Sequence, residues 1–366
     1  MTGYRPGRMG VAEGVVLVFI SGITPLFLSI WSIVIERSAT GGWLTPLITG
    51  PSALAMVFVL IYILDRVPGD LYDVAVRLLG KAAGNLLTAL LILVFFGNCV
   101  LQLRQYSENT LLTALPYLDI AVAMGWFALM AAIAVCIGIE SLARAAKIVL
   151  TFGMAGFALI LLALYERFDI HNVMPWLGSG LPVVKIGFGT TGVFLGTFIL
   201  AILAPSFQNT RTLKQAAVIG VALGTTVRTV TLFVYTGVFS VAVGTEKLLP
   251  FFELTRLVYL NRFVQRIESF FILIWAFYGM TIIAFFLFLA VYLSARLFGL
   301  PSVRPLVFPL AIIAVELAML IPDAATTNHL TLMLEGTIQT YVAFGLPLIL
   351  LAAWRLRGGR GGGNEA

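Results

Sequence analysis

Arg228 stands at the centre of the apolar run Thr225-Thr226-Val227-Arg228-Thr229-Val230-Thr231. A guanidinium at that depth does not face lipid cheaply, so it must meet a partner or a wet cavity. An internal structural pair, a contact with another subunit and a place on a substrate or ion path are all open to it. Glu316 falls about one and a half turns from the end of its own run. Its company is either water at the rim or, as the acid of a proton-coupled mechanism, a moving proton. Asn98, Gln102 and Gln105 recur at helical spacing and form one polar face, which should look into the protein.

Two stretches should break a helix. In Ser21-Gly22-Ile23-Thr24-Pro25 the proline removes a backbone donor and disfavours helical geometry at Thr24. Gly187-Phe188-Gly189-Thr190-Thr191-Gly192 continues to Gly196-Thr197 with a glycine and threonine density unusual for a lipid-facing segment. Further on, Trp275, Tyr278, Gly279, Met280 and Thr281 offer amphipathic tips beside a small residue. Together these groups suit a small zwitterion: helix carbonyls and hydroxyls hold an ammonium, and N–H groups at a half-helix N-terminus meet a carboxylate, with no cationic side chain required. The competing reading is close helix packing through small residues.

Enzyme chemistry is not expected. His171 and His329 have no Cys or His partner at metal spacing, and no nucleophile elbow, phosphate loop or paired carboxylates occur. Gly187-x-Gly189-x-x-Gly192 matches a dinucleotide fingerprint but follows no strand. Cys99 and Cys136 read as small buried hydrophobes. No cofactor and no metal are implied.

The elements that must position these residues are apolar runs. The chain has 366 residues, 60% hydrophobic and only 11% charged, with a mean hydropathy of +1.02. That leaves too little polar surface for a soluble globule of this size. The runs lack the alternation of barrel strands, so the fold class is an all-α polytopic membrane protein. Ten transmembrane helices are predicted at 11–35, 44–64, 86–113, 120–139, 146–165, 186–208, 215–243, 265–295, 302–321 and 335–354. Ten divides into a 5+5 inverted repeat, 11–165 and 186–354, within one domain over 1–357, with helices one and six broken near the midplane. The segment 69–85 carries Leu71, Val74, Ala75 and Leu78 at helical spacing, predicting a short amphipathic surface helix. The tail 358–366 is glycine-rich, polar and expected to be disordered. Loops holding Arg77, Arg144, Lys214 and Arg296 lie on the side of both termini, and that side has twice the basic residues of the other, which places both termini in the cytoplasm. The net charge of +6 then reads as loops beside anionic lipid, with no nucleic acid implied.

Several short segments in this order resemble the spore-germination permeases, the GerAB-type B subunits of nutrient germinant receptors within the amino acid–polyamine–organocation superfamily. They are Pro68-Gly69-Asp70-Leu71 with Leu79-Gly80-Lys81, Gly138-Ile139-Glu140-Ser141-Leu142-Ala143-Arg144, Asp169-Ile170-His171-Asn172-Val173-Met174-Pro175 with Gly180, Arg266-Ile267-Glu268-Ser269-Phe270 leading to Trp275, and Pro322-Asp323. The resemblance implies a leucine-transporter-like fold in the inner membrane of a bacterial endospore. It implies partnership with a membrane-embedded A subunit and a lipoprotein C subunit, and the sensing of a small nutrient, commonly an amino acid. The alternative is an independent amino acid–cation symporter. Carried onto this sequence, the pocket is Gly22, Thr24, Asn98, Leu195, Gly196, Thr197, Tyr278, Thr281 and Ile282, with Arg228 and Glu316 left for coupling or subunit contact. The family often has an acidic residue just after the span-six glycine; this chain has Thr197-Phe198 there.

Overall fold

A computed structural model describes residues 9–23, 30–258 and 268–357. Thr24 and the tail 358–366 lie outside the described residues. The regular structure within them is helical, and the chain folds as helix packed on helix in the manner of leucine-transporter-like transporters.

The first half of the chain holds α1 (Val11–Ile23), α2 (Ile30–Ser38), α3 (Thr45–Leu64), α4 (Leu71–Leu79), α5 (Lys81–Thr113), α6 (Ile120–Ile137) and α7 (Ile139–Ala163). The second half holds α8 (Leu181–Gly189), α9 (Ile199–Ile202), α10 (Thr210–Gly244), α11 (Pro250–Arg256), α12 (Glu268–Phe298), α13 (Arg304–Met319), α14 (Ala324–Thr331) and α15 (Gln339–Leu356). Eight helical stretches among the described residues are long and apolar enough to cross a membrane, against the ten expected. The shortfall has a local cause. The described part of α1, Val11–Ile23, has 13 residues, and α13 has 16 with Pro309 inside.

Helix α12 is the axis of the bundle. Every residue from Ile282 to Leu293 is buried, so its apolar character extends around the whole circumference, as an enclosed helix requires. Its most extensive partner is α5, while α1 packs mainly on α10. The amphipathic helix predicted within 69–85 forms as α4, with Leu71, Val74, Ala75 and Leu78 turned inward. Asp70 caps it: its Oδ1 accepts from the Asp73 N–H at 2.9 Å, and the Asp73 carboxylate reaches back to the Asp70 N–H at 3.3 Å.

The broken sixth helix is visible residue by residue. Helix α8 ends at Gly189, a 3₁₀ segment runs over Thr191–Phe198, and α9 adds one turn. All of Thr191–Phe198 is buried, so backbone groups released from the helix must be met from outside. Hydroxyls do this. Thr49 Oγ1 on α3 lies 2.8 Å from the Gly187 carbonyl and 2.9 Å from Thr190 Oγ1, and Ser52 Oγ pairs with Thr191 Oγ1 at 2.7 Å. On the other flank Thr340 Oγ1 donates to the Gly189 carbonyl at 2.7 Å and lies 3.1 Å from the Gly192 N–H. The first expected break, at Thr24-Pro25, falls outside the described residues, which end α1 at Ile23 and resume in α2 at Ile30.

One boundary is corrected by more than a turn. The last span, expected over 335–354, begins as α14 at Ala324, where the Asp323 carboxylate accepts from the Thr326 N–H at 2.7 Å. It passes through a π-helical turn over Leu332–Ile338 into α15. The polar residues of 326–331 read as loop, yet Thr327 and Thr331 are fully buried against the rest of the bundle.

Candidate ligand site and a buried polar seam

Two groups of residues emerge from the predicted pocket. The first collects where α1, the 3₁₀ segment and α12 meet. Gly22 and Gly196 both lie there, but neither faces open space. A Cβ on Gly22 would fall 2.3 Å from the Phe194 ring, and one on Gly196 would fall 2.1 Å from Ser21 Cβ. In this conformation both glycines serve close packing between α1 and the 3₁₀ segment. Tyr278 donates its hydroxyl to the Ile20 carbonyl and so ties α12 to α1. Thr281 and Tyr278 line a narrow, apolar crevice of about 40 Å³ together with Ile20, Ile23 and Phe157 of α7. Leu195, Thr197 and Ile282 are buried behind it.

Asn98 belongs to a second group. Its Oδ1 accepts from Gln339 Nε2 on α15 at 2.7 Å, while its own amide donates to the Val94 carbonyl. One turn further, Gln102 Nε2 donates to Glu335 Oε1 at 3.1 Å, and beyond that Gln105 Nε2 donates to Asn328 Oδ1 at 2.9 Å. The polar face foreseen on α5 therefore looks inward, as expected, and meets an antiparallel polar face on α14–α15. The two join into a buried seam through the bundle.

Glu335 is the functional candidate that sequence reasoning missed. It is buried, with Oε2 lacking a hydrogen-bond partner. The spacing 328, 335, 339 mirrors the stripe on α5, and pairing the two stripes would have found it. Starting the span at 335 put the carboxylate at its very end, where a charge is unremarkable.

Arg228 is buried within this chain. Its guanidinium lies 5.7 Å from the Phe194 ring centroid, and its charge interacts with that of Glu335 without a contact ion pair. Nη1 has no hydrogen-bond partner. Helix α10 thus brings its cation to the back of the broken segment and toward the seam. Glu316 lies apart from all of these, exposed on α13 beside an apolar groove against α6. Among the described residues no cluster of His, Cys, Asp or Glu suits a metal ion.

The arrangement sets an apolar crevice against α1 and α12 and, separately, a buried polar seam with one carboxylate, Glu335, and one cation, Arg228, at depth. Known proteins agree with the architecture. The chain is 24% identical over 335 residues to spore germination protein YndE of Bacillus subtilis (strain 168), covering 88% of this chain and 90% of that one. It is 25% identical over 293 residues to spore germination protein KB of the same organism, covering 76% and 77% respectively. In fold it is similar to Mhp1, a nucleobase-cation-symport-1 family transporter, in a closed conformation with bromovinylhydantoin bound. That match has a TM-score of 0.67 at 15% identity over 97% of this chain and 80% of the other. Residues 9–327 match the Spore_permease family, described as spore germination protein, and the chain belongs to that family of germination-related membrane permeases and receptor subunits.

Proposed function

We propose that this chain is the nutrient-sensing subunit of a spore germinant receptor, with an amino acid as its ligand. The observation that carries the reading is the tie from Tyr278 to the Ile20 carbonyl, at the crevice that Thr281 lines beside the broken sixth helix. A ligand entering there competes for that carbonyl and loosens α12 from α1. A ligand shifts such an equilibrium only through its difference in affinity for the two conformers. The A-type and C-type receptor subunits are the partners that read the shift. The setting is the inner membrane of the endospore, with both termini cytoplasmic as the loop charges favour. Glu316 and the exposed face of α13 are offered for subunit contact.

A second reading, an amino acid–cation symporter, is favoured by the unpartnered Oε2 of buried Glu335, a place for a transported proton. The test is a panel of amino acids screened for thermal stabilisation of the purified chain, with the same panel run as labelled uptake into liposomes. Stabilisation without uptake, reached at lower ligand concentration in Tyr278→Phe, where the Ile20 carbonyl has no competing hydroxyl, supports sensing. Saturable uptake supports transport, and a panel without any stabilisation or uptake rejects both.

A further inference from the structure

Away from the crevice, α2, α8 and α14 with its π-helical turn enclose a much larger space of about 600 Å³. That is enough for a small organic molecule. Three of its lining residues are basic, Arg37, Lys185 and His329, and none is acidic. Arg37 and Lys185 are exposed and take part in no ion pair among the described residues. Glu36, the neighbouring acid on α2, does not line the space, and Glu335 is turned to Gln102 behind its wall. The floor is made of backbone. A Cβ on Gly189 or Gly336 would meet nothing within 4 Å, in contrast to the occupied surroundings of Gly22, Gly192 and Gly196. Gly189 is also the last residue before the sixth helix breaks.

Unpaired cations around a concave space raise the local concentration of anions and repel cations. We infer that this space is an entry vestibule that selects small carboxylates of net negative charge, held by Arg37 and Lys185 above the break in the sixth helix. A bare carboxylate is matched on every charged wall, whereas a free ammonium has no counter-charge there. The inference rests on the reading that the chain admits a small ligand, and it narrows which ligands enter.

Met333 lines the vestibule and is exposed, which makes it the reporter position. In the purified full-length chain carrying Cys136→Ser, Met333→Cys is modified with an anionic methanethiosulfonate (2-sulfonatoethyl) or a cationic one (2-trimethylammonioethyl). Each rate is normalised to that of free 2-mercaptoethanol. The anionic reagent should react about tenfold faster, and Arg37→Gln with Lys185→Gln should abolish the preference. Glutarate should slow the reaction saturably, while its neutral isostere glutaramide and the dication cadaverine should not. Equal normalised rates, a preference that survives the double substitution, or equal protection by glutaramide would overturn the inference. Thr337→Cys, on the same wall, provides the measurement if Met333→Cys does not fold. Anion preference in a protein that no amino acid stabilises rejects nutrient sensing and leaves the vestibule intact. Amino-acid stabilisation without the preference rejects the vestibule alone.

Discussion

Arg228 and Glu335 should prove energetically coupled although they do not touch. The perturbation is a double-mutant cycle of Arg228→Leu, Glu335→Gln and the pair. Their separation exceeds the 4 Å of a contact ion pair, and at an effective dielectric of about 20 two unit charges at 4 Å interact by about 4 kcal/mol. The coupling therefore lies below that figure, and we expect about 1–3 kcal/mol. Each single variant leaves a buried charge without its counterpart, so each should cost about 3 kcal/mol or more, while the double variant should cost less than the sum. In Glu335→Gln the new amide still offers Gln102 a carbonyl oxygen, which isolates the charge from the hydrogen bond. SDS titration of the purified protein, followed by far-ultraviolet circular dichroism, gives the four free energies. Additivity within about 0.5 kcal/mol would show that the two charges act independently and that Arg228 is stabilised by something outside the seam.

Two further outcomes follow from the geometry. Gly192→Ala places a methyl 2.5 Å from the Glu335 carbonyl oxygen and the Thr340 nitrogen, both backbone atoms that cannot swing away, and should cost about 1–3 kcal/mol or prevent insertion. Gly336→Ala, which meets open space, should stay within about 0.5 kcal/mol of the wild type in the same titration, and equal effects would refute the packing assignment. Asp70 is raised above the ordinary carboxylate value of 3.8 by burial, which outweighs the opposing pull of the Asp73 N–H and Arg296. The folded chain then takes up this proton more readily than the unfolded one, so Asp70 adds stability as the pH falls through the window between its raised value and 3.8. The stability difference between wild type and Asp70→Asn should shift in favour of wild type from about pH 7 to about pH 4, and a constant or opposite difference would mean that burial does not dominate.

Class, family resemblance and the second broken helix were legible in the sequence because they rest on local properties. Apolar runs, the Gly–Thr cluster of 187–197 and the amphipathic pattern of α4 each speak for themselves. Residues whose meaning depends on a distant partner were not legible. Glu335 becomes intelligible only opposite Gln102, 233 residues away along the chain. The start of α14 was hidden for the same reason, since Thr327 and Thr331 are buried against distant helices while they lower the local hydropathy. Gly22 and Gly196 were expected to line the ligand pocket, but a sequence does not say whether the group that approaches a glycine is a ligand or, as here, the ring of Phe194 and the side chain of Ser21.

Helix α4 touches more of the molecule than its nine residues suggest. Arg296 at the end of α12 grips it through Asp70 at 2.7 Å and Asp73 at 2.6 Å, and Tyr292 adds a hydroxyl to Asp70 at 3.1 Å. From another direction, Arg357 at the end of α15 donates to the Arg77 carbonyl at 2.8 Å. The helix is thus a crossbar strapped to the buried axis at one point and to the seam-bearing helix at another. A sliding of α15 relative to α12 would pull on both ends of this crossbar, and Gly80, at φ +88° between α4 and α5, is the joint about which it would turn. A movement begun deep in the bundle would therefore surface as a tilt of α4, at the opposite end of α3 from the vestibule.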